Sequence, residues 1–416
     1  MVARIVELLR ANRILLWISL ITLVNQLGFG LVIPVLPFFV QTFGGTQAAV
    51  GASVAAFGLA RLLFDLPMGH LTERAGRRRV LVIGEAVTAV GTLFCGLAAS
   101  YPQLLIFRFI AGMGSATVLT AGQIVVTDVS TRENRGRMMG VYMSFFQLAV
   151  GVGPVLGGLL SDALGPRAPF IAFAVLAVLA GAIGYLRLPE TRKLSDHLAS
   201  ASATTVAPIT RPSGLDVLSK LARSPGFILV ALIGFAATVA RTGGIFSVVP
   251  ATAYRMVGLT PFQVGLAITI ANLLNFVTVS GAGVLADRYG RKATIIPGGA
   301  LVALGFVLFS MRAGYPVFVV AALLWGLGSA LYNSPASAYA ADLAPPGAYG
   351  TTLGIYRALG DAGYVVGPLA LGYLADHVGP VGALLTVAGV FVVIVLPFLV
   401  YAPETRRAAE LHRARV

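Results

Sequence analysis

Apolar residues recur along the chain in twelve runs of membrane-spanning length, set apart by short polar or charged segments. They lie near 14 to 37, 48 to 71, 79 to 99, 102 to 126, 138 to 161, 167 to 187, 226 to 250, 262 to 285, 293 to 312, 316 to 340, 351 to 373 and 380 to 401. Each predicts a helix, because about 20 helical residues cross a hydrocarbon layer while satisfying their own backbone hydrogen bonds. Between Leu188 and Ser224 the pattern collapses. The expected organisation is therefore an N-terminal six-helix bundle (1–187), a linker (188–224), a C-terminal six-helix bundle (225–401) and a tail (402–416). Inside the linker, Ala199 to Ser213 reads as a flexible tether of Ala, Ser, Thr and Pro. After Gly214, Leu215, Leu218 and Leu221 share one helical face and Asp216, Ser219 and Lys220 lie off it, predicting a short helix on the membrane surface. The N-terminal segment has a similar pattern, with Ile5, Leu8 and Leu9 set against Arg4, Arg10 and Arg13.

Composition fits this all-α membrane reading, since 57% of the residues are hydrophobic and only 11% are charged. A net charge of +14 would suggest nucleic acid in a soluble protein. Here the basic residues gather instead at alternate loops: Arg74 and Arg77 to Arg79, Arg132 to Arg137, Arg192 to Arg223, Arg288 to Lys292, and Arg406 to Arg415. The intervening loops hold only Arg167, Arg255 and Arg312. The positive-inside rule then predicts an inner (cytoplasmic) membrane protein with both termini cytoplasmic, and no nucleic-acid partner. Run one is too long for a signal-peptide core and lacks a cleavage site, so it is expected to be retained. The single cysteine, Cys95, excludes an internal disulfide or a cysteine metal site.

Shifting the chain by 214 residues superposes it on itself. Gly69 to Arg78 falls on Gly283 to Lys292, Gly112-x-Gly114 on Gly326-x-Gly328, Asp128 on Asp342, Gly153-Pro154 on Gly367-Pro368, and Pro189-Glu-Thr-Arg192 on Pro403-Glu-Thr-Arg406. Two copies of one unit are implied, and doubled membrane units place their substrate site between the copies.

The segment GVLADRYGRK at Gly283 to Lys292, and GHLTERAGRR at Gly69 to Arg78, resemble the loop signature of the major facilitator superfamily, with Glu73 in place of the usual Asp. Gly151-x-Gly153-Pro154-x-x-Gly157-Gly158 is similar to the signature of the twelve-helix drug/proton antiporters within it. The resemblance implies two pseudo-symmetric six-helix bundles that open alternately to either side. It also implies a cytoplasmic gate made by Gly69, Glu73, Arg74, Arg77 and Asp128, repeated by Gly283, Asp287, Arg288, Arg291 and Asp342. Asp128 and Asp342 are the expected partners of Arg77 and Arg291. The glycines at 69 and 283 are expected to let neighbouring helices approach, and the Gly-Pro segment to pack tightly and bend at Pro154.

Charges within the runs each need a reason, because one at the bilayer centre costs roughly 2.5 to 3.5 kcal/mol on insertion scales. Arg61 and Asp65, like Arg357 and Asp361, are one helical turn apart and could pair. Asp361 falls near the middle of its run with the neutral Gln147 as its repeat mate, which makes it the leading proton-coupling candidate. Arg108, whose mate is Ala322, begins a segment resembling the family's fourth-helix signature, whose arginine is implicated in proton transfer. Arg357, Asp65, Arg241 and Glu85 complete the coupling candidates. Candidate cavity residues are Asn25, Gln26, Tyr142, Gln147, Asn272, Asn275, Trp325, Tyr332, Asn333 and Tyr356, an apolar and aromatic lining with scattered amides suited to amphiphiles.

The expected function is proton-coupled export of small hydrophobic or amphiphilic compounds by a monomer in the bilayer, powered by the proton gradient without a cofactor. A lipid, siderophore or sugar-like cargo, or a non-transporting sensor of the same fold, is the alternative. An enzyme is not expected, since His70, His197, His377 and His412 are scattered and no catalytic or metal-ligand constellation occurs.

Overall fold

The computed structural model describes residue 9 and residues 12–131, 134–192, 214–311 and 313–405. The tether at Ala199 to Ser213, most of the N-terminal amphipathic segment, Arg132, Arg312 and the basic tail from Arg406 lie outside the described residues. The described chain is helical: α1 (Arg13–Val32), α2 (Leu36–Gln41), α3 (Gln47–Ala75), α4 (Arg77–Leu97), α5 (Tyr101–Asp128), α6 (Arg135–Leu164) and α7 (Ala168–Arg187). Then come α8 (Gly214–Leu221), α9 (Pro225–Val257), α10 (Pro261–Tyr289), α11 (Lys292–Ser310), α12 (Tyr315–Asp342), α13 (Tyr349–His377) and α14 (Gly379–Tyr401). Eleven of these helices are long and apolar enough to cross a membrane. The twelfth long helix, α13, is not among them; it carries Arg357, Asp361 and Asp376.

Three details differ from the sequence reading. Run one is two helices, because Pro34 and Pro37 interrupt it and Pro37 instead occupies the first turn of α2. On α8 the buried side chains are Val217 and Leu221, one turn apart, while Leu218 is exposed and the side chain of Leu215 lies outside the described set. Helix α9 widens into π-helical turns over Ala240–Val248 and Ala253–Val257. No side-chain pattern announces a π-turn in advance, although such turns gather at functional sites.

The helices form two compact units. The first contains α1, α2, the body of α3, α4 to α7 and the first turns of α10 (Thr260–Thr269). The second contains the first turn of α3 (Thr46–Gly51), α8, α9, the rest of α10 and α11 to α14. Corresponding helices pack alike: α4 on α5 and α11 on α12, α1 on α6 and α9 on α13. In the first unit the core joins Leu15, Ile18 and Ile21 of α1 to Leu81, Val125, Val141 and Tyr142. Outward faces carry large aliphatic side chains such as Leu66, Leu186, Val277 and Val393, as a surface in acyl chains does.

Small residues set the closest packing. A Cβ at Gly153 would fall 2.5 Å from the Cα of Gly30, and one at Gly157 would strike the backbone of Leu31, so α6 and α1 meet backbone to backbone. Gly158 is pressed in the same way against Pro261 at the start of α10. Helix α6 runs on through Pro154, and the Val155 N–H donates to the Thr269 hydroxyl at 3.1 Å.

Candidate functional site

Each unit carries the same brace at the helix ends marked by the repeated loop signature. In the first, Arg77 opens α4 and its Nε donates to Asp128 Oδ2 at 2.8 Å, with both side chains buried. Thr191 Oγ1 donates to the same oxygen at 2.8 Å. Glu190 accepts from the backbone N–H groups of Arg77 at 2.9 Å and Arg78 at 3.3 Å, satisfying donors that the first turn of a helix leaves open. The second unit repeats every contact 214 residues on: Arg291 Nε to Asp342 at 3.3 Å, Thr405 Oγ1 to Asp342 at 2.9 Å, and the Arg291 and Lys292 N–H groups to Glu404 at 2.9 and 3.2 Å. The Pro-Glu-Thr repeat is thus a double clamp, its glutamate on a helix terminus and its threonine on the latch aspartate. Sequence reading had noted the repeat without this chemistry.

The glycines that matter in the signature are not those expected. A Cβ at Gly69 would meet only the Thr120 methyl at 3.7 Å, and one at Gly283 would meet nothing, so neither permits a close approach here. Gly76 and Gly290 do the work: their φ values of +99° and +103° are left-handed, and a Cβ would stand 2.6 and 2.7 Å from the carboxylates of Glu190 and Glu404. The copies also diverge. Asp287 pairs with Arg291 one turn away, whereas Glu73 is exposed and forms no ion pair among the described residues, and only its carbonyl accepts from Arg77, at 3.3 Å. Arg74 offers its carbonyl to Arg192 Nη1 at 2.8 Å, and Arg288 lies over the Tyr289 ring.

A second symmetric pair was missed from sequence. Asp376 accepts from the N–H groups of Gln47 and Ala48 at the start of α3, both at 2.9 Å, within the second unit. Asp162, its mate under the offset, accepts from the Phe262 N–H at the start of α10 at 3.2 Å, within the first. Asp376 lies beyond the apolar run 351–373. Burial pushes its carboxyl up, but hydrogen bonds from Ala48, Thr46 and Gln47, with His377 nearby, outweigh this and hold it below the ordinary aspartate range.

In the interior of the first unit, Glu85 of α4 is fully buried. Asn25 Nδ2 donates to its Oε2 at 2.7 Å, and Gln26 Nε2 donates to Asn25 Oδ1 at 3.0 Å. Glu85 Oε1 has no hydrogen-bond partner, and no cation pairs with Glu85 among the described residues. The same unit holds three more buried hydroxyls without a partner at hydrogen-bond geometry, those of Ser19, Thr22 and Tyr142. Helix α7 meets the Glu85 stem with Gly181.

The remaining candidates separate by exposure. Arg108 is buried, its Nε donating to the Ser53 carbonyl at 3.3 Å and its guanidinium lying 4.6 Å from the Phe57 ring centre, which ties α5 to α3. Asp65 accepts from Thr120 at 3.4 Å. Arg241, at the first π-turn of α9, reaches over Phe246. Asp361 and Arg357 are both exposed, and Arg357 enters no ion pair, so the expected pairing within α13 is absent. Of the cavity candidates, Asn25, Gln26, Tyr142, Trp325 and Tyr332 are buried. Gln147 and Asn333 are exposed, Asn272 and Tyr356 half-buried, and Asn275 donates to the Gly326 carbonyl at 3.2 Å. Gly151 is buried in α6.

Comparison with known proteins matches residues 18–255 and 230–415 to the model of the Major Facilitator Superfamily. An uncharacterized MFS-type transporter of Methanocaldococcus jannaschii is 26% identical over 89% of this chain and 93% of its own. Multidrug resistance protein 2 of Bacillus subtilis is 25% identical over 84% and 86%. The crystal structure of a nucleoside transporter shares the fold with a TM-score of 0.75 at 14% identity, covering 93% of this chain and 98% of that one.

Proposed function

Since the chain belongs to the major facilitator superfamily and is a multi-pass membrane transporter rather than an enzyme, we propose that it exports small hydrophobic or amphiphilic compounds in exchange for protons. Glu85 carries the proposal. A fully buried carboxylate with one amide donor and no cation is costly as an anion, by several kcal/mol, and stable as an acid. Enclosed, Glu85 holds a proton; opened to water, it releases one. Such a group converts a pH difference into a conformational preference. In this proposal it ranks ahead of Asp361, because Glu85 is enclosed within its unit whereas Asp361 is exposed.

Export of amphiphiles draws support from the resemblance to Multidrug resistance protein 2. The nucleoside transporter of the same fold shows that cargo varies on this scaffold. In this proposal the two braces are gates at the cytoplasmic side of an inner membrane, where the basic loops place them. The test is flux in proteoliposomes under an imposed pH gradient, across amphiphilic dyes, amines, nucleosides and sugars. Dye efflux tied to proton uptake and lost in Glu85→Gln is expected; gradient-driven flux that persists in Glu85→Gln would overturn the coupling assignment.

A further inference from the structure

We propose that the hydroxyls of Tyr142, Thr22 and Ser19 are the route by which a proton travels between Glu85 and the end of the first unit that carries the Arg77–Asp128 pair. The inference rests on the reading of Glu85 as the coupling acid and names how that acid is served.

Glu85 Oε1 and the hydroxyls of Tyr142, Thr22 and Ser19 are among the buried oxygens of the first unit that meet no partner at full hydrogen-bond geometry, with the Tyr142 and Thr22 hydroxyls facing each other. Buried hydroxyls are ordinarily satisfied, so unsatisfied ones in the unit that buries this carboxyl call for a purpose. Their placement is directional. Thr22 lies one turn before Asn25, which donates to Glu85, and Tyr142 packs in one cluster with Ile18, Ile21 and Leu81, the last one turn before Glu85. The Tyr142 hydroxyl lies against Gly122, where a Cβ would be 2.5 Å away, about 9 Å along α5 from Asp128. Ser19 precedes Thr22 by one helical turn on α1, toward Arg13, a gap of roughly 5 to 6 Å between Cβ atoms that one water molecule can bridge. On the other walls, Gly181 faces Glu85 from α7, Asn25 is already committed to Oε2, and Tyr142 is the titratable side chain that faces Glu85 from α6, while the unpartnered Thr92 hydroxyl lies two turns along α4 on the side away from Arg77. The apolar shell of Leu15, Ile18, Ile21 and Val141 keeps bulk water from short-circuiting the path.

Each transfer is a proton relay. A hydroxyl oxygen accepts a proton on a lone pair and releases its own to the next oxygen, ending on Glu85 Oε1. Only O–H bonds form and break, and nothing is oxidised or reduced.

The experiment follows the infrared carbonyl band of the protonated Glu85 carboxyl after a pH jump, in the full chain reconstituted in lipid. The band is assigned by its loss in Glu85→Gln. Thr22→Val and Tyr142→Phe are expected to slow its appearance by at least about tenfold while leaving its final amplitude intact, and Thr22→Ser to restore the rate. Ser19→Ala, which leaves almost no void, carries the same expectation and serves if the bulkier changes prevent folding. Unchanged rates with an intact band overturn the relay and leave the coupling acid standing. A chain that shows no titrating Glu85 band overturns both.

Discussion

At the scale of single residues, the decisive property of Glu85 is isolation. Carboxylates at 128 and 342 are each held by an arginine and a threonine. Glu85 has only an amide. Glu85→Gln keeps the size and can still accept from Asn25, so we expect a folded protein that binds substrate normally yet loses accumulation driven by a pH gradient, by about a hundredfold or more in rate. Asp361→Asn, at an exposed site, should reduce the same flux by a much smaller factor. Both are read in one proteoliposome assay, and the reverse order would return the coupling role to Asp361. Sequence ranked these two the other way because depth along a run is visible in the letters, whereas the face a residue turns to its neighbours is not. Asn25 and Glu85, sixty positions apart, meet only once α1 and α4 have packed.

At the scale of elements, helix ends explain much of what is repeated. Glu190 and Glu404 each cover two open N–H groups, and Asp376 covers two at the start of α3. Loss of such a cap costs about 0.5 to 2 kcal/mol. Glu190→Ala should therefore lower the thermal midpoint of the detergent-solubilised protein by a few degrees, with Glu404→Ala behaving alike; an unchanged midpoint in both would show that the caps are incidental. Asp376→Ala should do the same, and Asp376→Asn less, since the amide oxygen still accepts. Eleven helices of membrane-spanning length and the short helix from Gly214 were legible, because hydropathy and the bilayer leave few solutions. What escaped was local geometry: the split at Pro34, the π-turns of α9, and Gly76 rather than Gly69 as the glycine under constraint. Asp162 and Asp376 were overlooked because acids at span ends look like ordinary flanks. Only the shared offset, applied to them and to the helix starts at Gln47 and Pro261 together, would have exposed the pattern.

At the scale of the whole molecule, the duplication gives two copies of one latch with different exposures, and energetics can decide which copy matters more. The side chains of Arg77 and Asp128 are 8% and 7% exposed, whereas those of Arg291 and Asp342 are 20% and 33%. Removing one partner of a buried pair leaves an uncompensated charge and costs about 3 to 5 kcal/mol, while an exposed pair is worth about 0 to 1 kcal/mol. The second latch is further buffered, since Asp287 still pairs with Arg291 if Asp342 is lost, whereas Glu73 offers Arg77 only a carbonyl. Asp128→Ala should accordingly reduce folded yield and transport severely, and Asp342→Ala only modestly. Replacing Glu73 with the shorter Asp, as in the second copy, should recover part of the Asp128→Ala loss by giving Arg77 a carboxylate one turn away, just as Asp287 serves Arg291. Thermal midpoints and flux of the two single variants and of the Glu73→Asp, Asp128→Ala double variant settle the matter; equal losses at 128 and 342, or no recovery in the double variant, would mean that burial does not distinguish the latches and that the copies are functionally interchangeable.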